Sequence, residues 1–207
     1  MIIDPEVLPE GLPEPEDDGA TSHRVGRPMP ALALPSTSGG RVRVDLVPEG
    51  ADRLFLSAYP RTGRPGEPPL TADWDLIPGA RGCTPESCGF RDHAAELWGA
   101  GAAVVGVSTQ STDDQLEVVE RLRLPFPLLS DGDLQLTLAL GLPTHVVAGH
   151  TLIKRLTLVV RNGRIEHVFY PVFPPDTHAS NVLVWLGARP VSSASVQGRL
   201  HVHEPGG

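Results

Sequence analysis

Between residues 54 and 187 the chain alternates short apolar runs with amphipathic stretches, and that alternation narrows the folds open to it more than any other feature. Residues 54–59 open with Leu54, Phe55 and Leu56 and suit a buried strand. After Pro85, the side chains of Phe90, Ala94, Leu97 and Trp98 fall on one helical face. Residues 102–108 read as a second buried strand. The pattern Thr112-x-x-Gln115 then predicts a capped helix with Leu116, Val119 and Leu122 along its stripe. A strand at 126–130 and a short helix at 134–140 follow.

Two strands, 155–161 and 164–170, flank Asn162-Gly163, the strongest two-residue hairpin signal. A last helix starts at Asp176 or Thr177 after Pro174-Pro175, carries Val182, Leu183 and Leu186, and closes at Gly187. A βαβα order followed by a hairpin and a helix is that of an α/β thioredoxin-like fold, a mixed central sheet flanked by helices on both faces. Residues 60–81 interrupt it as an insertion with Pro60, Pro65, Pro68, Pro69 and Pro78 and no clear period, a length of loop that is usually functional or mobile.

Charge separates the ends from the middle. The formal net charge is -8, but residues 1–18 hold Asp4, Glu6, Glu10, Glu14, Glu16, Asp17 and Asp18 and no Lys or Arg; of 25 acids, 18 then remain against 17 bases. The rest is nearly neutral and has no basic cluster, which argues against a nucleic-acid partner. Residues 1–24, with Pro5, Pro9, Pro13 and Pro15 among the acids, read as a flexible acidic tail. Residues 25–187 read as the folded domain, and 188–207 as a C-terminal extension, either loose or an extra strand. No apolar run nears the roughly 18 residues that a membrane-spanning helix needs. An acidic start, with two cysteines only, predicts a cytoplasmic protein rather than a disulfide-rich secreted one.

The chemistry sits in the segment from Gly82 to Asp92, which contains both cysteines. Cys83 falls at or just before a helix N-terminus, where backbone N–H groups and the helix dipole favour a thiolate, so the expected pKa is depressed. Cys88 lies one turn deeper and feels less of this. In an ideal helix such a pair is about 8.7 Å apart at Cα, beyond the roughly 7 Å a disulfide spans. If the two bond, the first turns of the helix must unwind. A metal reading would recruit Cys83, Cys88, His93 and His145 or His150, but no tight second pair of ligands supports it. A disulfide reductase would use Cys-x-x-Cys, and here four residues intervene.

The string Gly-Cys-Thr-x-x-x-Cys-Gly-Phe-Arg-Asp, preceded by Tyr59-Pro60 and followed later by Arg155 at the head of a strand, resembles peroxiredoxins of the bacterioferritin-comigratory (Q) type over roughly residues 28–186. The resemblance implies a thiol-dependent peroxidase without metal, haem or flavin. In it Cys83 is the peroxidatic cysteine, Cys88 resolves its sulfenic acid to an intramolecular disulfide, and a thioredoxin-like dithiol reduces that bond. It also implies that Arg155 holds the thiolate and polarises the hydroperoxide, that Glu86 orients Arg155, and that the protein is a monomer or homodimer.

The family's Pro-x-x-x-Thr/Ser-x-x-Cys loop is broken here, with Leu76 and Ala80 at the matching offsets; Thr62, Thr71 and Thr84 are the hydroxyls that could stand in. That departure motivates an alternative, a redox-sensing binding protein that uses the same disulfide switch. Among the remaining residues, Arg91 and Asp92 read as a structural ion pair, and Trp98 and Trp185 as core. His93, His145, His150 and His167 read as solvated or hydrogen-bonded, and Trp74 as a cover over the site.

Overall fold

The computed structural model describes residues 5–191. At its centre is a five-stranded sheet whose strands lie, from edge to edge, in the order 128–130, 102–108, 53–58, 156–161 and 164–169. Strands β3 (Arg53–Ala58), β4 (Ala102–Ser108) and β5 (Leu128–Ser130) run parallel. β8 (Leu156–Arg161) joins β3 antiparallel with Ala58 opposite Leu156, and β9 (Arg164–Phe169) completes the hairpin. At its turn Asn162 and Gly163 both take positive φ, 51° and 68°, the conformation that makes Asn-Gly the favoured pair.

The period-2 geometry of strands sorts their side chains onto two faces. Leu54, Leu56 and Ala58 of β3 join Leu158 and Val160 of β8 in one core, against Leu136 and Leu140 of α4 (Gln135–Leu140). Phe55 and Val159 point the other way, into a core with Phe90, Leu97, Val182 and Trp185. Those four belong to α1 (Cys83–Asp92), α2 (Ala94–Gly99) and α5 (His178–Gly187). All six β3 residues are buried, Arg53 and Ser57 among them, because the strand lies inside the sheet and is covered on both faces. The thioredoxin-like α/β arrangement with helices on both faces is the one the sequence order implies.

Several local expectations are corrected. The α3 helix (Thr112–Leu122) is capped by Ser111, not Thr112: the Ser111 hydroxyl accepts from the Asp114 N–H at 3.1 Å and donates to the Asp114 carboxylate at 2.8 Å. Its buried residues are Gln115, Val118 and Leu122, while Leu116 is exposed. Trp98 is 51% exposed, not core, because α2 turns its outer face to an apolar groove bounded by Leu46, Pro48 and Phe126; Trp185 is buried. The helical stretch after Pro85 breaks at His93 into α1 and α2. Two antiparallel hairpins were not anticipated: β1 (Ala33–Pro35) with β2 (Arg41–Arg43), and β6 (Thr144–Val147) with β7 (His150–Ile153).

Residues 5–24, read from composition as a tail, lie across the domain through mainly polar contacts. The Arg24 guanidinium donates to the carbonyls of Leu140 and Gly141 at the end of α4, and Asp18 pairs with Lys154 at 2.9 Å. The C-terminal extension lies outside the described residues from residue 192 onward.

Candidate active site

The site forms where β3 ends and β8 begins. The chain leaves β3 through Tyr59, makes the long loop of 60–81, and returns as α1, whose first residue is Cys83. Gly82 caps the helix with φ 99°, and a Cβ there would come within 2.3 Å of Pro175 Cγ, so this position requires glycine for both backbone and space. Because β8 pairs beside β3, Arg155 meets this helix start although it lies 72 residues along the chain.

Cys83, Glu86 and Arg155 form one buried cluster. Arg155 Nη2 donates to Cys83 Sγ at 3.2 Å and to the Arg81 carbonyl at 3.0 Å, while Nη1 donates to Glu86 Oε2. The Arg155 and Glu86 side chains are 1% and 2% exposed. Cys83 Sγ also lies 3.6 Å from the Ala80 carbonyl and receives the Arg61 backbone N–H. Burial works against the Arg155 charge, but the Cys83 and Glu86 charges outweigh it and hold the guanidinium above its usual pKa. Burial pushes the Glu86 carboxyl up, against the pull of Arg155 and Ser57.

The expectation of a depressed Cys83 pKa is corrected. Burial pushes this thiol up, and the Arg155 charge and the Arg61 N–H reduce that shift without reversing it. Burial outweighs the helix-start position, because the sulfur sits behind the 60–81 loop rather than at an open helix end.

Cys88 is half-buried on the same helix, its thiol raised by burial, and both cysteines are free. With α1 helical through both positions, the roughly 8.7 Å of an ideal i, i+5 pair applies. Arg91 pairs with Asp92 at 2.8 Å and donates to the Leu122 carbonyl, a structural contact as anticipated. Among the described residues no three or more His, Cys, Asp or Glu groups gather as a metal site.

Cys83 opens on a small cavity of about 60 Å³ that Thr62, Thr84, Trp74 and Gln110 also line. Of the three candidate hydroxyls, Thr62 and Thr84 are buried beside the thiol. Thr71 bonds Asp73 away from the cavity. Ala80 is buried and Leu76 is exposed. The cavity also contains a residue that the motif reading missed: Gln110 Oε1 accepts from the Thr62 N–H at 2.8 Å and its hydroxyl at 3.0 Å, and Gln110 Nε2 donates to the Thr62 carbonyl. Its place just past the end of β4 was the available signal, since the carboxyl ends of parallel strands gather sites.

His178 was missed as well. It is buried, shares a 2.8 Å hydrogen bond with Thr157, and meets Phe90 of α1 edge-on. Burial lowers its pKa to about 3. His93 bonds Glu96, His150 is exposed, His145 is half-buried, and His167 stacks on Trp185.

The redoxin family profile matches residues 24–183. Peroxiredoxin Bcp of Escherichia coli K12 is 30% identical over 167 residues, covering 79% of this chain and 95% of that protein. Chloroplastic peroxiredoxin Q of japonica rice is 31% identical over 168 residues, 75% of each. Among solved structures, peroxidoxin BcpB of Mycobacterium tuberculosis superposes with a TM-score of 0.63 at 26% identity, covering 81% of this chain and 99% of that one. Peroxiredoxin Q of Xanthomonas campestris gives 0.59 at 25%, covering 77% and 92%. On this profile and these identities, the chain belongs to the redoxin family, as a peroxiredoxin of the Q/Bcp type, and is a thiol-dependent peroxidase.

Proposed function

We propose that Cys83 reduces hydrogen peroxide or organic hydroperoxides and that Cys88 resolves the product. The Cys83 thiolate attacks one peroxide oxygen; an S–O bond forms, the O–O bond breaks, sulfur gives up two electrons, and the departing alkoxide or hydroxide takes a proton. The resulting sulfenic acid condenses with the Cys88 thiol, forming the S–S bond and releasing water. A thioredoxin-like dithiol, in a cytoplasmic setting, returns both thiols by exchange.

One observation carries this reading: the buried Arg155 guanidinium reaches Cys83 Sγ at 3.2 Å, away from bulk water, where a cation is worth most to a developing anion. Glu86 on the other side of Arg155 orients it. Thr62, clamped by Gln110, supports the hydroxyl role that Ala80 cannot fill. The resolving step requires α1 to unwind at its first turns, breaking the Cys83 and Glu86 contacts to Arg155, while Phe90, edge-on to His178, anchors its far end.

The test is stopped-flow oxidation of the reduced protein by hydrogen peroxide, with tryptophan fluorescence and thiol counting. Wild type should oxidise far faster than a free thiol and lose two thiols per chain. Cys83→Ser should not turn over, and Cys88→Ser should stop at the sulfenic acid. A wild-type rate no faster than a free thiol overturns turnover. Ala80 in place of the loop hydroxyl, together with the long 60–81 insertion, favours, in that event, the redox-responsive binding protein that holds a partner in one redox form only.

A further inference from the structure

We propose that residues 5–18 form a strap that walls the Cys83 cavity and restricts it to small hydroperoxides, a deepening that rests on the peroxidase reading above. Pro5 lines the cavity and lies against Gly63. The Val7 carbonyl accepts from Arg81 Nη2 at 2.8 Å, and Leu8 packs over Gly82, directly before the thiol. Farther along, Pro15 touches Gly79.

Ion pairs pin the segment on both sides of the opening. Glu6 meets Arg121 of α3 at 3.2 Å, and the same guanidinium donates to the Gly63 carbonyl, so strap and insertion share one anchor. Asp18 accepts from Lys154 and from the Tyr170 hydroxyl, each at 2.9 Å, and Lys154 is the residue before Arg155. The strap thus spans the site from α3 to the head of β8.

Size follows from the space that is left. A cavity of about 60 Å³ compares with the roughly 10–15 Å³ that one water needs and the roughly 300–1,000 Å³ of pockets that enclose drug-sized ligands. A peroxide group and a small substituent fit; an aromatic ring does not while the strap is down. The wall is a weak one by construction. Its attachments are exposed ion pairs and backbone contacts, each worth little singly, and its prolines lower the entropy lost on docking.

The experiment compares a small thiol reagent, N-ethylmaleimide, with a large one, a pyrenyl maleimide, on the reduced full-length protein, with Cys83 and Cys88 labelling resolved by peptide mass spectrometry. In Glu6→Lys/Asp18→Lys the large reagent should reach Cys83 about threefold to tenfold faster, the scale of losing two exposed ion pairs, while the small reagent and the Cys88 rate change less. Adding Lys154→Asp to Asp18→Lys should restore protection relative to Asp18→Lys alone. Unchanged large-reagent labelling of Cys83, or equal acceleration of both reagents at both cysteines, overturns the strap. The ratio of cumene hydroperoxide to hydrogen peroxide oxidation rates should rise in parallel. If wild type oxidises with neither peroxide, the peroxidase reading fails, and the maleimide comparison still decides the strap.

Discussion

Replacing Arg155 separates what the buried cluster contributes to stability from what it contributes to chemistry. Arg155→Met removes the cation but leaves Glu86, only 2% exposed, facing an apolar side chain. Breaking a buried pair by deleting one partner costs about 3–5 kcal/mol, because the other charge stays buried and uncompensated. Arg155→Met/Glu86→Gln removes that charge too, and exchanging a whole buried pair for neutral groups is often close to neutral, so the double variant should regain most of the lost stability. Peroxide oxidation should not recover, since both variants lack the donor that sits 3.2 Å from Cys83 Sγ; a fall of about 10²–10³ is the scale for one such donor. Urea unfolding of the reduced protein reads the first quantity and stopped-flow oxidation the second. A double variant as unstable as the single would show that Glu86 is not the source of the penalty, and a double variant that oxidises at the wild-type rate would show that Arg155 does not act on the thiolate.

Two further outcomes follow from the same geometry. His178 has its pKa lowered from 6.5 to about 3, so the unfolded chain takes up the proton first; its contribution to stability is complete above pH 6.5 and is lost as pH falls toward 3, at up to about 1.4 kcal/mol per pH unit. His178→Gln should flatten this slope in denaturant titrations between pH 7 and pH 4, and equal slopes in both proteins would refute the assignment. Thr62→Val should slow peroxide oxidation by about a hundredfold if its hydroxyl meets the peroxide, whereas Thr84→Val should do less; the reverse order would move the role to Thr84.

What was legible in the sequence was what depends on neighbours in the chain. β3 declared itself through the apolar run Leu54-Phe55-Leu56, all buried, and the β8–β9 hairpin because Asn162-Gly163 adopts the turn that those residues favour. Both cysteines and Arg155 stood out by motif; Cys83 and Arg155 meet in the buried cluster, while Cys88 stands half-buried on α1 outside it. Trp98 misled because an apolar residue at helical spacing looks the same whether its face is covered or opens on a groove. Ser111 displaced Thr112 as cap because two hydroxyl residues compete within one position. The direction of the Cys83 shift was not legible at all, since it depends on depth beneath a 22-residue loop (60–81) rather than on place in a helix. His178 and Thr157, 21 residues apart, and Gln110 with Thr62, 48 apart, have partners that only the sheet order brings together.

The sheet order also dictates when the thiol acquires its environment during synthesis. β3, β4 and β5 assemble from consecutive chain, each pairing with the strand just made, but β8 enters beside β3 after most of the domain exists. Contacts of such separation form late, because the intervening loop must be closed before they gain anything. A nascent chain that has presented Cys83 but not yet residue 155 therefore carries an ordinary cysteine, open to mispairing with other thiols and without its guanidinium. Reactivity toward peroxide therefore waits on β8 docking beside β3, and on β9 and α5, which follow it in the chain and close over α1.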